Sequence, residues 1–459
     1  MLIKTPSSFE LRDCSHHVQP LLIAPSRPTP NHTLYLSNLD DQPFLRFSIK
    51  YLYLFKKSVS VDTLKRSLAL VLADYYPLAG RLRVCPSNDH KLEVDCNGEG
   101  AVFVEAFMDS TAEELSEILN KKPNKSWRKL LHRVDGATSF IDIPPLIVQV
   151  TYLRCGGMIL STAISHCLCD GIGTSQFLHA WAYLTANQDA DELLQIHQPF
   201  HCRHVLGPRV PPRVEFDHLA YYQSTHESDC GYDLYRWLQS QPLVPSSVIF
   251  TAADILRLKR RCLPTIKCTA FEALASHTWR SWVESLALPM NLNVKLLFSI
   301  NVREKMSHDI PEGYYGNAFV LGCAETTAKQ LVNSNLHDGV TLVQAAKKAC
   351  SRECVKSLVD LLEDDKVKTD LRGSFVISQW SKLGLEEADF GGGKCMHMGA
   401  VASDVCCLFL PVVGHKDSIR VLVSMPEAVV EKFEDCMKGF LDEKEDCNAG
   451  KDGWIDNCF

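Results

Sequence analysis

Residues 146–184 read LIVQVTYLRCGGMILSTAISHCLCDGIGTSQFLHAWAYL, and this stretch decides the fold class. Leu146–Leu153 and Met158–Ile164 are apolar runs of strand length, and the turn residues Cys155-Gly156-Gly157 between them predict a β-hairpin. After two further glycines, apolar residues recur at helical spacing, at Phe177, Trp181 and Leu184. A hairpin that leads directly into a helix predicts a mixed α/β fold.

His166 lies on the connection between this hairpin and the helix, a common position for exposed catalytic groups. A histidine near its ordinary pKa can accept a proton from a hydroxyl or an amine at neutral pH. An HxxxD pattern alone occurs by chance in many proteins. Here small residues precede His166, and Gly171 and Gly173 follow it, so that the loop can turn sharply and a ligand can approach. We therefore predict that His166 is a general base.

Asp170 admits three interpretations. On a continuous helix its i+4 spacing would place it beside His166 as an orienting carboxylate. On a turn it could point away and hold the loop through a distant arginine, which we favour because Gly171 and Gly173 argue against a continuous helix. A metal site is the third, but His166 and Asp170 offer only two ligands, so we predict no bound metal.

Cys167 and Cys169 flank the predicted base and raise the alternative of a covalent acyl-enzyme on a thiol. The other interpretation is that both side chains are small packing residues in the core. We favour packing, with both side chains alternating into the core. The nineteen cysteines of the chain are scattered and form no CxxC pair, so in general we also expect them to be small buried residues.

The length and composition of the chain limit its class. A chain of 459 residues is long enough for two domains, and 46% hydrophobic with 22% charged residues is typical of a globular protein. A formal net charge of −7 gives no reason to expect a nucleic-acid partner. The sequence shows neither the apolar core of a signal peptide nor a run long enough to span a bilayer. We expect a cytoplasmic monomer without a membrane span.

The chain divides at a stretch rich in proline and charge. We predict an N-terminal domain over 1–187, an irregular crossover over 188–228 and a C-terminal domain over 229–459. Helical or strand periodicity predicts further elements on both sides of the crossover. These are helices at Val61–Tyr75, Ala253–Arg261, Ala270–Leu288, Leu342–Leu362 and Glu427–Leu441, and strands at Val294–Val302, Ala318–Gly322, Val405–Val413 and Ile419–Ser424.

Several short motifs lie in a fixed order around the HxxxDG loop: LSNLD (36–40), YYPLAGRL (75–82), QVT (149–151), CGG (155–157), KCTAFEAL (267–274), WR (279–280), NVR (301–303), YGN (315–317) and DFGGGK (389–394). Together and in this order, these segments resemble the motifs of the plant BAHD acyltransferase family. The resemblance covers almost the whole chain.

This resemblance implies two chloramphenicol-acetyltransferase-like domains of similar size, with an active-site channel at their interface. It implies an enzyme that transfers an acyl group from acyl-CoA, as a co-substrate, to the hydroxyl of a small alcohol or phenolic acceptor, with no permanently bound cofactor. His166 would take the acceptor proton in a ternary complex, and Asp170 would be structural. We propose Arg303 as the partner of Asp170.

The resemblance also assigns further site residues. Ser378 and Trp380 match an element near the acceptor and the tetrahedral intermediate, and a packing role for Trp380 is the alternative. Residue chemistry, rather than the resemblance, suggests Lys267 and Thr269 for CoA, because a local cation and a hydroxyl suit phosphates on an acidic protein. A solvated helix start is the alternative.

The family signature DFGWG departs from its usual form here. It reads Asp389-Phe390-Gly391-Gly392-Gly393, in which Asp389, Gly391 and Gly393 would be structural. Gly392 replaces the tryptophan and could loosen the CoA side of the channel. A milder departure is Asn301, where the family usually has aspartate.

Three alternatives remain open: a non-catalytic member of the fold that binds an acyl ligand or a partner, an N-acyltransferase, and a metal hydrolase built on HxxxD. The sequence does not distinguish acetyl, long-chain and hydroxycinnamoyl donors.

Overall fold

The computed structural model describes residues 10–121, 123–190, 198–223, 234–401 and 406–442. Parts of the predicted crossover (191–197 and 224–228) and of the predicted C-terminal domain lie outside these residues. In the described part of the chain, no helix is both long and apolar enough to cross a bilayer.

The described residues form seventeen strands and ten α-helices. The strands are β1 (Leu21–Ile23), β2 (Thr33–Tyr35), β3 (Ser48–Phe55), β4 (Arg81–Cys85), β5 (Asn88–Asp95), β6 (Ala101–Met108), β7 (Leu146–Leu153), β8 (Met158–Ser165), β9 (Tyr221–Gln223), β10 (Leu243–Phe250), β11 (Asn293–Asn301), β12 (Phe319–Thr327), β13 (Val367–Thr369), β14 (Ser374–Gln379), β15 (His397–Ala400), β16 (Cys407–Pro411) and β17 (Ile419–Pro426). The helices are α1 (Val61–Asp74), α2 (Ala112–Leu119), α3 (Gly171–Ala186), α4 (Leu234–Ser240), α5 (Ala252–Arg260), α6 (Ala270–Leu286), α7 (Ala328–Asn333), α8 (Leu336–Ala349), α9 (Arg352–Leu361) and α10 (Val430–Asp442).

The two largest sheets are six-stranded and mixed. The first has the order β1-β6-β7-β8-β3-β15, and the second has the order β10-β17-β16-β14-β11-β12. In the first sheet the predicted hairpin forms, with Leu146 opposite Ile164 and Tyr152 opposite Met158. All eight residues of β8 are buried, which explains why this strand is a continuous apolar and small-residue run without alternation.

Strand β15 belongs to the first sheet although it comes late in the chain. It pairs antiparallel with β3, from His397 opposite Leu54 to Ala400 opposite Tyr51. The C-terminal half therefore adds an edge strand to the N-terminal sheet. The predicted domains, 1–187 and 229–459, did not include this strand in the N-terminal unit. The core of the first sheet accordingly contains side chains from both halves, among them Trp380, Phe390 and Leu408.

One predicted helix is wrong. Leu342–Leu362 was expected to be continuous, but α8 ends at Ala349 and α9 begins at Arg352. The side chain of Ser351 accepts a hydrogen bond from the backbone N–H of Cys354 and caps the second helix. The apolar spacing continues across this break, so the periodicity alone could not show it.

Candidate active site

His166 follows the last residue of β8 and precedes α3 by five residues. Its backbone N–H donates to the carbonyl of Phe47 at 2.9 Å, which fixes the start of the loop against the residue before β3. Its side chain is partly exposed, and the rings of Phe47 and Phe319 lie 5.3 and 5.8 Å from the imidazole, centroid to centroid. The imidazole of His166 therefore lies between one aromatic residue of each half of the chain.

The environment of His166 lowers the pKa of its imidazole below its ordinary value. Burial is the largest cause, because it disfavours the charged imidazolium. Hydrogen bonding to its own carbonyl, the charge of Asp170, and weaker contributions from Asn317 and Asp40 act in the opposite direction. This shift favours the neutral ring, which has a lone pair available to accept a proton.

Asp170 makes its contacts away from this imidazole. Arg303 Nη1 donates to Asp170 Oδ2 at 2.8 Å, and Arg303 Nη2 donates to Asp170 Oδ1 at 3.0 Å. The carboxylate also accepts from the backbone N–H groups of Gly173, at the start of α3, and of Ala318. Burial alone would raise the pKa of Asp170, but Arg303 and these donors hold it below its ordinary value. Gly171 is the first residue of α3, which Asp170 caps.

Cys167 and Cys169 are both fully buried. Burial raises the pKa of each thiol above its ordinary value, which disfavours the thiolate that a nucleophile requires. Cys167 Sγ lies 3.6 Å from the carbonyl oxygen of Leu45. These positions favour packing.

Ser378 and Trp380 lie at the end of β14. Trp380 Nε1 donates to Ser378 Oγ at 3.2 Å, and the indole packs against Tyr51 of β3 with 4.8 Å between ring centroids. Trp380 thus contacts the strand that is hydrogen-bonded to β8, the strand that ends at the base. Both proposed roles of Trp380, packing and contact with the intermediate, are compatible with this position.

Lys267 and Thr269 lie at the start of α6. Thr269 Oγ1 accepts from the N–H of Glu272, and Glu272 Oε2 accepts from the N–H of Thr269, which is a capping box. The Thr269 hydroxyl oxygen is thus used by the helix cap, and Lys347 pairs with Glu272 at 2.5 Å. The side chain of Lys267 is exposed, so it remains the more accessible of the two candidates.

The glycine-rich signature forms a tight turn that leads into β15. Asp389 Oδ1 accepts from the N–H groups of Gly391 and Gly393, at 2.8 and 2.9 Å, and both glycines have positive φ, +93° and +94°. A Cβ atom added at Gly392 would lie 2.8 Å from the carbonyl oxygen of Lys57. A side chain at position 392 would therefore require the backbone at Lys57 to shift.

A buried polar group behind the loop was missed by the sequence reasoning. Asn317 Nδ2 donates to the carbonyl of His166 at 2.7 Å and to Asp40 Oδ1 at 2.9 Å. Arg203 Nη2 donates to the carbonyl of Leu168 at 2.9 Å. Asn317 and Asp40 lie within the quoted segments 315–317 and 36–40, and the order of the motifs was the one signal that could have brought them together.

Among the residues that the structure describes, no group of three or more His, Cys, Asp or Glu side chains is placed to hold a metal ion.

A family model described as Transferase family matches residues 18–439. Similar proteins include a fatty alcohol:caffeoyl-CoA acyltransferase from Arabidopsis thaliana, 33% identical over 91% of this chain and 97% of that protein. An omega-hydroxypalmitate O-feruloyl transferase from the same plant is 33% identical over 92% of each chain. A benzyl alcohol O-benzoyltransferase from Petunia hybrida is 33% identical over 93% of each.

Solved structures show the same fold. Vinorine synthase superposes with a TM-score of 0.69 at 20% identity, covering 93% of this chain and 98% of that one. An F. graminearum protein in complex with coenzyme A and deoxynivalenol gives a TM-score of 0.74 at 15% identity, covering 89% and 97%.

Proposed function

The chain belongs to the BAHD acyltransferase family, and we propose that it transfers an acyl group from acyl-CoA to the hydroxyl of a small apolar alcohol or phenol, with His166 as the general base. The fold contains two large six-stranded mixed sheets and matches that of vinorine synthase over 93% of this chain. The single observation that carries the mechanism is the position of His166, on a loop anchored by Asn317 and between aromatic residues of the two halves of the chain.

The proposed reaction occurs in a ternary complex. His166 removes the acceptor proton as the hydroxyl oxygen attacks the thioester carbonyl, which forms a new C–O bond and a tetrahedral intermediate. The intermediate collapses, the C–S bond breaks, and the departing CoA thiolate takes the proton from the imidazolium. Ester and free CoA are the products, and the base returns to its neutral form.

The oxyanion of the intermediate needs a donor, and we propose Ser378. Its oxygen accepts from Trp380 Nε1, so its own O–H can point toward the intermediate. A donor of this kind is typically worth about 3 kcal/mol of transition-state stabilisation. Trp380 would then act by orienting the hydroxyl.

The acceptor preference follows from the groups beside the base. Phe47 and Phe319 give the imidazole apolar neighbours on two sides, which suits an aromatic or aliphatic alcohol better than a highly polar acceptor. The relatives named for fatty alcohol, hydroxy fatty acid and benzyl alcohol acceptors agree with this preference. We propose Lys267 as a contact for CoA phosphates, and a cytoplasmic monomer as the working state.

A donor-by-acceptor screen tests the function. Purified protein is incubated with acetyl-, benzoyl-, long-chain and hydroxycinnamoyl-CoA against benzyl alcohol, a fatty alcohol, a phenol and matched amines. Free CoA is measured with a thiol reagent and the product by mass spectrometry. We expect esters from the alcohols, at rates unchanged by a chelator. Amides alone would support the N-acyltransferase, and acyl-CoA binding without turnover in any pair would support the non-catalytic alternative.

A further inference from the structure

Asn317 occupies a position that the acyl-transfer reaction does not use directly. The residue is fully buried and lies between β11 and β12, in the C-terminal half, yet its side chain contacts the catalytic loop of the N-terminal half. Its Nδ2 group donates two hydrogen bonds, one to the His166 carbonyl at 2.7 Å and one to Asp40 Oδ1 at 2.9 Å. Both N–H hydrogens of the side-chain amide therefore have an acceptor.

Asp40 holds this amide in place. Its Oδ1 atom also accepts from the backbone N–H of Asn317 at 2.8 Å, so one oxygen fixes both the backbone and the side chain of the asparagine. Its Oδ2 atom accepts from the N–H and the hydroxyl of Ser37. Asp40 has no exposed surface, and such a carboxylate is costly unless it is paired and hydrogen-bonded.

Arg203 provides the compensating charge. Its Nη1 atom lies 3.9 Å from Asp40 Oδ1, and both side chains are completely buried. The guanidinium stacks over Tyr315, 4.4 Å from the ring centroid, while Nη2 binds the carbonyl of Leu168. A Cβ atom at Gly316 would collide with Nη1, so the glycine leaves space for this arginine.

We propose that Asn317, fixed by Asp40 and Arg203, is a positioning residue that sets the location of the His166 main chain and thereby the aim of the imidazole. Asp170 and Arg303 hold the far end of the loop, and Asn317 holds the end that carries the base. A displacement of about 1 Å in a reacting group can reduce the rate by about 10²-fold. The loss of one buried hydrogen bond at this carbonyl can therefore lower kcat.

The proposed substitution is Asn317→Ser. Asp40 Oδ1 accepts a hydrogen bond from the backbone N–H of residue 317, so we expect a serine hydroxyl there to donate to Asp40. We expect the shorter side chain not to reach the His166 carbonyl, to which the longer amide donates at 2.7 Å. The variant removes the contact with the loop and keeps an interaction with the buried carboxylate.

Asn38→Ser is the matched control. Asn38 is also buried, 4% exposed, and its Nδ2 donates to a main-chain carbonyl, that of Val359 at 2.8 Å, and to a carboxylate, Glu363 Oε2 at 2.7 Å. It therefore makes the same kind of contacts between the two halves of the chain, but its partners lie in α9 and just beyond it, and neither belongs to the loop that carries His166.

The measurements are Tm, kcat and the KM for acyl-CoA, with rates expressed per folded molecule. We expect Asn317→Ser to lower kcat by about 10- to 100-fold with KM for acyl-CoA within about threefold of wild type. We expect Asn38→Ser to lower Tm to a comparable extent while kcat stays within about threefold. Equal kcat losses in the two variants, or an unchanged kcat in Asn317→Ser, would overturn the positioning role. If Asn317→Ser does not fold, Asn317→Thr, with the same hydroxyl and a larger side chain, is measured by the same criteria.

This inference rests on the proposed role of His166, so His166→Ala is measured in the same assay. Full turnover in His166→Ala would show that His166 is not the general base. Turnover lost in His166→Ala but retained in Asn317→Ser would reject only the positioning role.

Discussion

Arg303 donates a hydrogen bond to each carboxylate oxygen of Asp170, at 2.8 and 3.0 Å, and its Nη2 also donates to the carbonyl of Gly316 at 2.8 Å. One guanidinium thus joins the end of the catalytic loop to the segment that precedes β12. The side chains are 17% and 5% exposed, so the pair is shielded from solvent and keeps much of its electrostatic strength. Both oxygens of the Asp170 carboxylate are therefore bonded to Arg303, as the proposed structural role requires.

Replacement of Arg303 by alanine is expected to reduce stability and activity together. The substitution leaves a buried carboxylate without its counterion, a change that typically costs about 3–5 kcal/mol. Thermal unfolding followed by circular dichroism, beside turnover, gives both quantities. The control is Arg352→Ala, which removes an equally bidentate pair with Asp309 at the surface and should cost less than about 1 kcal/mol. Activity lost at an unchanged Tm would count against the structural role of the pair.

The pH profile should report the lowered pKa of His166. The reaction needs the neutral imidazole, so kcat/KM should fall on the acid side as His166 is protonated, with an apparent pKa below about 6.5. Burial disfavours the imidazolium in the folded state, so the unfolded chain binds the proton more readily. The free energy of unfolding should therefore decrease as the pH falls below about 6.5. Rates are collected from pH 5 to 8 with Tm measured in each buffer. If kcat/KM of the folded protein already fell with an apparent pKa clearly above 7, the lowered pKa of His166 would be contradicted.

No covalent acyl-enzyme should form. Cys167 and Cys169 are buried with raised pKa values, and the ternary-complex scheme needs no nucleophile from the protein. Intact-protein mass spectrometry after incubation with acyl-CoA alone should show the unmodified mass. A stoichiometric acyl adduct mapped to either cysteine, lost on addition of alcohol, would instead establish the thiol mechanism.

The glycine in the signature motif should be required by the local backbone. Gly392→Ala would place a Cβ atom 2.8 Å from the carbonyl oxygen of Lys57, and we expect a loss of about 1–3 kcal/mol. Gly439→Ala, in α10 where no neighbouring atom lies within 4 Å of the added Cβ, should instead raise stability slightly. Chemical denaturation measures both. An equally stable Gly392→Ala protein would show that the turn can shift at little cost.

Sequence reasoning could predict the elements whose pattern is local. The hairpin β7–β8 and the helix α3 are encoded by contiguous runs, and the strand predicted over Leu146–Leu153 has the same limits in the structure. The contact between Asp170 and Arg303 was anticipated from the family resemblance, since 133 residues separate the two and no local pattern joins them. The roles proposed for the site residues stay predictions.

Other features depend on contacts that no local pattern contains. Strand β15 pairs with β3 across more than 300 residues, and its four residues are too few for a period-2 signal. Asn317 meets His166 and Asp40 only because β12 begins beside the loop in the folded chain. The break between α8 and α9 depends on a single serine cap within an otherwise helical pattern.

The most direct test of the central claim is the rate of acyl transfer by His166→Ala, with His415→Ala, an exposed histidine on a turn, as the control. Single-turnover rates are measured with saturating acyl-CoA and alcohol, in samples shown to be folded by their Tm. The account predicts a loss of about 10²- to 10⁴-fold for His166→Ala and a rate close to wild type for His415→Ala. A His166→Ala rate within tenfold of wild type would show that another group removes the acceptor proton.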